Sequence, residues 1–297
     1  MAENYYQLGH TLKKIRENKH YTQQEVADST MSRSNYTKLE HDEINPNIVK
    51  FFAILDYMDL DANEFSFFLN DYSLTPKETV FYLFKEMEQR PTLSYLQNLI
   101  EASEALLEER EDHITRDILN IVLAYKALLE HKDIKKAKTF ADKAWSRLKK
   151  LDKFYLSELY LLNRIIFLFD IETAISLVDM ALKELENYYC FREAKQLRLS
   201  FLSNLSCLLI EYEMYSKAME YIDILIAESK KEYDTIMLGA AIVRKGLCKS
   251  AEGQEDEPES DFNLAVEMFE MIDRHDLIEE IKTNPRIVSN PYGYIDF

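Results

Sequence analysis

"TQQEVADSTMSRSNYTKLEHDE", Thr22 to Glu43, decides how the first part of this chain folds. Thr22 with Glu25 three residues on makes a capping box, which starts a helix over about 23–28. Ser32 caps a second helix over about 33–41. At helical spacing Val26, Ala27, Met31, Tyr36 and Leu39 share one face. Arg33, Ser34, Asn35, Thr37 and Lys38 share the other. Ala27 is small where the two helices must approach. The pair reads as two short helices joined by a tight turn, with the second presenting a polar row outward.

Residues on either side extend the pattern. Leu8, Leu12 and Ile15 form an apolar stripe within a helix over 5–19. Asn45-Pro46-Asn47 breaks the chain, and two further helices follow over about 48–58 and 62–70. Residues 1–70 thus form one five-helix domain. "DYSLTPKE", 71–78, reads as a linker with Pro76 opening the next helix. Residues 79–297 form a second, almost wholly helical domain. Its breaks are short: Arg90-Pro91, Glu111-Asp112, Lys132-Asp133, Asp152-Lys153, Asp170 and Glu213-Met214. The acidic "EGQEDEPESD", 252–261, reads as a solvated loop, and helix is expected to end after Asn284.

The second domain contains a repeat. "DIKKAKTFADKAW", "DIETAISLVDMAL" and "MYSKAMEYIDILI" each give a turn, an alanine, an apolar residue four on, and Ala or Leu three beyond. The alanines, Ala137, Ala174 and Ala218, are 37 and 44 residues apart, and an apolar helix precedes each. This resembles degenerate tetratricopeptide (TPR) repeats, whose helix pairs stack into a superhelix with a concave binding face. The expected class is therefore all-α, a helix-turn-helix domain followed by a TPR-like repeat domain. Five glycines and six prolines in 297 residues are too few for an all-β fold.

The net charge is −17, which argues against a chain coated with phosphate-binding residues. It does not exclude a local one. Residues 1–41 hold six Lys/Arg against five Asp/Glu, so the acid lies beyond them. Cys190, Cys207 and Cys248 are scattered, odd in number and without metal spacing, as expected of reduced core thiols in a cytosolic protein. No signal peptide or membrane span is expected, since the longest apolar stretch, 155–169, contains Glu158, Asn163 and Arg164. The sequence contains no GxSxG, P-loop, HExxH or CxxC, and its six histidines are dispersed. Neither an enzyme, nor a metal, nor a cofactor is expected.

The outward row suits DNA. Arg33 can bond guanine bidentately, and Ser34 and Lys38 can reach base edges. Gln23, at a helix start, suits a phosphate. Thr22-Gln23-Gln24-Glu25-Val26-Ala27, Ser32-Arg33-Ser34 and Lys38-Leu39-Glu40 are similar to the lambda-repressor-like helix-turn-helix family, over roughly residues 5–69. By position, the resemblance implies phosphate contact at Gln23, base reading at Arg33, Ser34 and Lys38, and backbone contact near Asn35 and Thr37. The common form has a turn one residue longer, usually with glycine. The shorter, glycine-free "DSTMS" resembles the Rgg/MutR-type regulators of Gram-positive bacteria, which join this domain to a TPR-like one.

That resemblance implies double-stranded operator DNA, a short signalling peptide, a second copy of the chain and RNA polymerase as partners, with no membrane. It also implies asparagines that grip the peptide backbone, as an amide can bond both peptide groups. Asn204 stands at such a position. Asn163 and Arg164 interrupt the very apolar "YLLNRIIFLF", and Arg164 could pair with a peptide carboxylate. Each could equally make an interhelical hydrogen bond. Two other readings stay open at this point: a TPR-like protein–protein scaffold with a vestigial helix pair, and a repressor controlled by a protein partner.

Overall fold

A computed structural model describes residues 7–28, 30–87, 91–253 and 257–288. The chain divides into two compact units, Met1–Thr79 and Val80–Phe297.

Among the described residues the first unit holds five helices: α1 (Leu8–Asn18), α2 (Gln23–Ala27), α3 (Arg33–Glu40), α4 (Ile48–Tyr57) and α5 (Ala62–Leu69). Side chains cap four of them at the N-terminus. Thr22 and Glu25 form the expected box, with the Thr22 N–H donating to Glu25 Oε2 at 2.6 Å. Ser32, Asn47 and Asp61 accept backbone N–H groups from α3, α4 and α5. Leu12, Ile15, Val26, Ala27, Tyr36, Leu39, Ile54, Leu55, Met58 and Phe65 make the core.

The turn between α2 and α3 is closed by one carbonyl. Ala27 O accepts from the Thr30 N–H at 2.8 Å and the Met31 N–H at 2.9 Å. None of the described turn residues has a positive φ, so none of them calls for glycine. A glycine is required elsewhere. A Cβ at Gly9 would lie 1.8 Å from Leu39 O, and the Gly9 N–H donates to Asp42 Oδ1 at 2.6 Å. The backbone of α1 therefore rests directly on the end of α3.

In the second unit, α6 (Pro76–Glu86) runs across the division, capped by Thr75 and Glu78. There follow α7 (Leu93–Glu109), α8 (His113–His131), α9 (Ile134–Leu148), α10 (Leu156–Ile165) and α11 (Ile171–Leu185). Then come α12 (Arg192–Glu211), α13 (Tyr215–Glu232), α14 (Thr235–Ala251), α15 (Glu257–Glu270) and α16 (His275–Thr283). Short 3-10 turns follow α10, α11 and α16.

α8 packs between α7 and α9, and α12 between α11 and α13. α10 packs on both α8 and α12, joining one helix pair to the next. That is the staggered stacking of a helical-repeat array. The repeat residues lie at the contacts. Ala137, Ala141 and Ala144, then Ala174, Val178 and Ala181, then Ala218, Ile222 and Leu225 are all buried. Among the described residues there is no strand, and no helix is long and apolar enough to cross a membrane.

Two expectations need correction. The acidic run is not loop throughout, because residues from Glu257 onward are helical; a proline is tolerated in a first turn. Residues 254–256 of that run, like Arg90 of the Arg90-Pro91 break and residues 289–297 of the tail, lie outside the described residues. The sequence reading also missed the breaks near Cys190 and Tyr233. At Tyr233 the chain turns through a left-handed residue, φ 56°, that carries no glycine signal.

Candidate DNA-binding face and ligand seam

The outward row of α3 is held from behind. Glu40 is fully buried at the end of α3, and its carboxylate is held from two sides. Arg16 of α1 donates from Nε to Oε1 at 2.5 Å and from Nη2 to Oε2 at 3.1 Å. The bond to Glu40 raises the Arg16 pKa above its ordinary value. Arg16 Nη1 also donates to Tyr21 O at 2.8 Å, fixing the loop before α2. Gln23 of α2 donates to Glu40 Oε2 at 2.8 Å and accepts from Thr37 Oγ1 at 3.1 Å. Tyr36 is buried beside this network, and burial, then the Glu40 charge, push its phenol pKa up.

Those bonds decide which side chains remain available. Ser32, Arg33, Ser34, Asn35 and Lys38 are exposed along one side of α3. The face expected from the sequence is thus present at Arg33, Ser34, Asn35 and Lys38. Thr37 differs: it is half-buried, and its hydroxyl donates to Arg33 O at 3.0 Å as well as to Gln23. On the inner side Val26, Ala27, Tyr36 and Leu39 are buried and Met31 is half-buried. The side-chain amide of Gln23 is engaged at both its oxygen and its nitrogen. A phosphate contact by that amide would need it to leave Glu40 or Thr37.

In the second unit the structure brings Asn163 and Asn204 together across α10 and α12. Asn204 Nδ2 donates to Asn163 Oδ1 at 3.1 Å and to Asn163 O at 3.3 Å. Asn163 Nδ2 donates to Ser200 Oγ at 2.8 Å. Asn163 is 3% and Asn204 5% exposed, within a largely apolar surround. Asn204 Oδ1 and the neighbouring Ser203 Oγ are buried without a hydrogen-bond partner among the described residues. An unpaired buried acceptor is costly, so this polar seam is incompletely satisfied.

Arg164 points elsewhere. Its Nη2 donates to Met87 O at 2.7 Å and Lys85 O at 3.4 Å, so it caps the end of α6. α6 is held further by the Lys85–Glu193 ion pair at 2.9 Å and by the edge-to-face contact of Phe81 with Tyr160. One helix, α10, therefore carries Tyr160 and Arg164 against α6 and Asn163 against α12. Sequence spacing held no sign of the α6 contact, which spans 77 residues. Of the many aromatic residues, Phe167, Phe169 and Tyr212 line a cleft of about 410 Å³ together with Ile134, Lys138, Leu168 and Glu211. Among the described residues no group of three or more His, Cys, Asp or Glu could hold a metal ion.

Comparison with known proteins agrees with this division. Residues 12–65 match the helix-turn-helix family model. Residues 147–283 match the model of the C-terminal domain of the HTH-type transcriptional regulator Rgg. No curated protein sequence matches the chain. Among solved structures, a protein from Listeria monocytogenes EGD-e described as a transcriptional regulator is 19% identical with a TM-score of 0.76, covering 93% of this chain and 95% of that one. The SHP pheromone receptor Rgg2 of Streptococcus dysgalactiae is 16% identical with a TM-score of 0.69, covering 94% and 99%. Bacillus thuringiensis PlcR, in complex with the peptide PapR7 and DNA, is 16% identical with a TM-score of 0.66, covering 94% and 100%. These structural likenesses concern the fold. The two family models, met in order along one chain, place it among the helix-turn-helix transcriptional regulators of the Rgg type.

Proposed function

We propose that this regulator acts in the cytoplasm as a homodimer, reads an operator with α3, and changes activity when its helical repeats take up a short peptide. The observation that carries the DNA half is the exposed row Arg33, Ser34, Asn35 and Lys38 on a helix whose other side is locked by Thr37, Gln23, Glu40 and Arg16. A rigid helix with free polar side chains is what base reading requires. Gln23 and Thr37 serve by holding that row in place. No catalytic step is asked of the chain.

The peptide half rests on the Asn163–Asn204 seam. Asn204 Oδ1 is an unfilled acceptor in an apolar interior, and a peptide N–H supplies the missing donor. To reach it, the peptide exchanges its own backbone groups for one of the Asn–Asn bonds. Arg164 stands one residue from Asn163, and its side chain is half-buried. A peptide carboxylate near it would pull on the same guanidinium that caps α6. The peptide-bound PlcR and the pheromone receptor Rgg2 support the assignment of ligand class.

Two measurements test this. Arg33→Ala with Lys38→Ala should abolish binding to the promoter DNA of the protein's own gene with the fold intact; unchanged binding would favour a scaffold. Short apolar peptides should raise the melting temperature of the full chain, by the equivalent of about 2.7 kcal/mol at a hundredfold excess over Kd. Asn204→Ala should remove that rise; a rise of the same size in the variant would remove the seam from the site.

A further inference from the structure

α9 concentrates positive charge in an acidic chain. Residues 132–153 hold nine Lys/Arg against three Asp/Glu, while the whole chain stands at −17. One side of α9, with Ala137, Ala141, Ala144 and Leu148, is buried. Lys135, Lys136, Lys138, Lys143, Lys149 and Lys150 are exposed on the rest of it and just past its end. Lys143 lies over the Phe140 ring, 5.1 Å from its centroid, and none of the six makes an ion pair or a side-chain hydrogen bond among the described residues. Elsewhere in the unit lysines meet carboxylates, as Lys195 meets Glu232 and Lys249 meets Asp261, both at 3.0 Å. The arrangement is unfavourable for α9 itself. Lys135 and Lys136 stand in its first turn, where the helix dipole favours acid. Lys135 with Lys138, and Lys143 with Arg147, set like charges three and four residues apart.

We propose that this face of α9 lies along the phosphate backbone of DNA, flanking the bases that α3 reads. The inference rests on the reading of α3 as the DNA-docking helix. Three observations select duplex DNA as the partner. First, the charges form a row. Lys136 and Lys143 are two turns apart on one face, a rise of about 10 Å, and Lys150 follows at the same interval. DNA carries a regular line of negative charge to meet it. Of the acids nearby, Asp142 lies about a third of a turn off that row, Asp152 comes after it, and Asp133 is engaged in the cap, accepting the Lys136 N–H at 2.9 Å. Second, the exposed cations are lysines, and Phe140 and Trp145 between them are half-buried. Protein interfaces are depleted in lysine and enriched in aromatic residues and arginine, whereas a lysine acts on phosphate as a point charge. Third, the first unit is short of such charge. Its α3 row has two cations, Arg33 and Lys38, and residues 1–41 hold six Lys/Arg against five Asp/Glu. Phosphate neutralisation supplies much of the affinity of a DNA complex, and DNA held by one unit is presented to the other at a high effective concentration.

The test uses the full chain and a duplex selected by it from random DNA, either trimmed to the selected site or extended by about two helical turns at each end. Lys136→Gln, Lys143→Gln and Lys150→Gln are combined in one variant. On the extended duplex it should lower the slope of log K against log salt by about 2–3, one phosphate contact per lysine. It should also lose hydroxyl-radical protection outside the selected site. On the trimmed duplex it should bind as wild type. The same three positions changed to Arg should keep the wild-type slope. So should Lys183→Gln with Lys230→Gln and Lys231→Gln, an equal change of charge on other exposed lysines. The proposal is overturned if the α9 glutamine variant keeps the wild-type slope and footprint on the extended duplex. It is also overturned if the slope falls as far on the trimmed duplex or in the control variant, which reports total charge and not a contact. Intact binding with lost transcription by purified RNA polymerase would overturn it in favour of an acidic protein surface. Intact binding with a lower mass by light scattering would do so in favour of a second copy. Arg33→Ala with Lys38→Ala keeps the underlying reading separate. Loss on both duplexes upholds α3 as the docking helix whatever the α9 variant does, and undiminished binding removes it.

Discussion

The Gln23 amide of α2 and the buried Glu40 carboxylate of α3 are joined at 2.8 Å, and the same carboxylate is gripped by Arg16. Removing one member of a buried ion pair leaves the other charge uncompensated. Glu40→Ala should therefore cost about 3–5 kcal/mol, read as a lower urea midpoint by circular dichroism. Gln23→Ala removes two hydrogen bonds, to Glu40 and from Thr37, and leaves the ion pair, and should cost about 1–3 kcal/mol. Its larger effect should be on DNA affinity, through a looser α3.

Gly9 carries the contact between α1 and α3. Its missing Cβ would stand 1.8 Å from Leu39 O, a backbone atom that cannot rotate away. Gly9→Ala should destabilise the first unit by about 1–3 kcal/mol through overpacking. Thermal unfolding of the full chain should show an earlier loss of helix than in the wild type.

The side chains of Arg33 and Lys38 are exposed on α3, so their replacement should leave stability unchanged. Each should act on DNA alone. If Arg33 reads a base, Arg33→Ala should weaken binding by about 1–3 kcal/mol and relax specificity at one position. If Lys38 pairs with a phosphate, Lys38→Ala should lower the slope of log K against log salt by about 1. Binding isotherms at several salt concentrations separate the two.

Asp117 offers a pH-dependent measurement. Burial raises its carboxyl pKa first of all, and the hydrogen bond and charge of Arg147 oppose the rise. A raised folded pKa gives stability that is present below the ordinary Asp value and is lost as pH rises through the raised one. Arg147→Met removes the opposing effects and lifts the pKa further. Its urea midpoint should match the wild type at the acid end, near about pH 3, and fall increasingly below it towards about pH 7. An equal deficit at both pH values would detach Asp117 from the effect.

The local features were legible in the sequence because local physics sets them. Thr22, Glu25 and Ser32 cap α2 and α3 as their spacing implies, and Ala137, Ala174 and Ala218 are buried where the repeat puts them. Long-range polar partners were not legible. Glu40 carries a charge that a pattern assigns to solvent, and Arg16, 24 residues away, lets it stay inside. Thr37 sits at an outward position by helical spacing, yet its hydroxyl turns back to Gln23. Asn163 and Asn204 were visible as polar interruptions of apolar helices, but their mutual bond crosses 41 residues. The tie of Arg164 to the end of α6 had no local signal at all.

The glycine-free turn between α2 and α3 bears on how relatives are found. Ala27 O takes the Thr30 and Met31 N–H groups, and no described turn residue lies in the left-handed region. Many side chains can therefore occupy those positions without strain. Drift in that loop is cheap, and the helix-turn-helix family model still matches the chain across it. Two hydroxyl caps ten positions apart, Thr22 and Ser32, with alanine at the crossing, make a steadier signature.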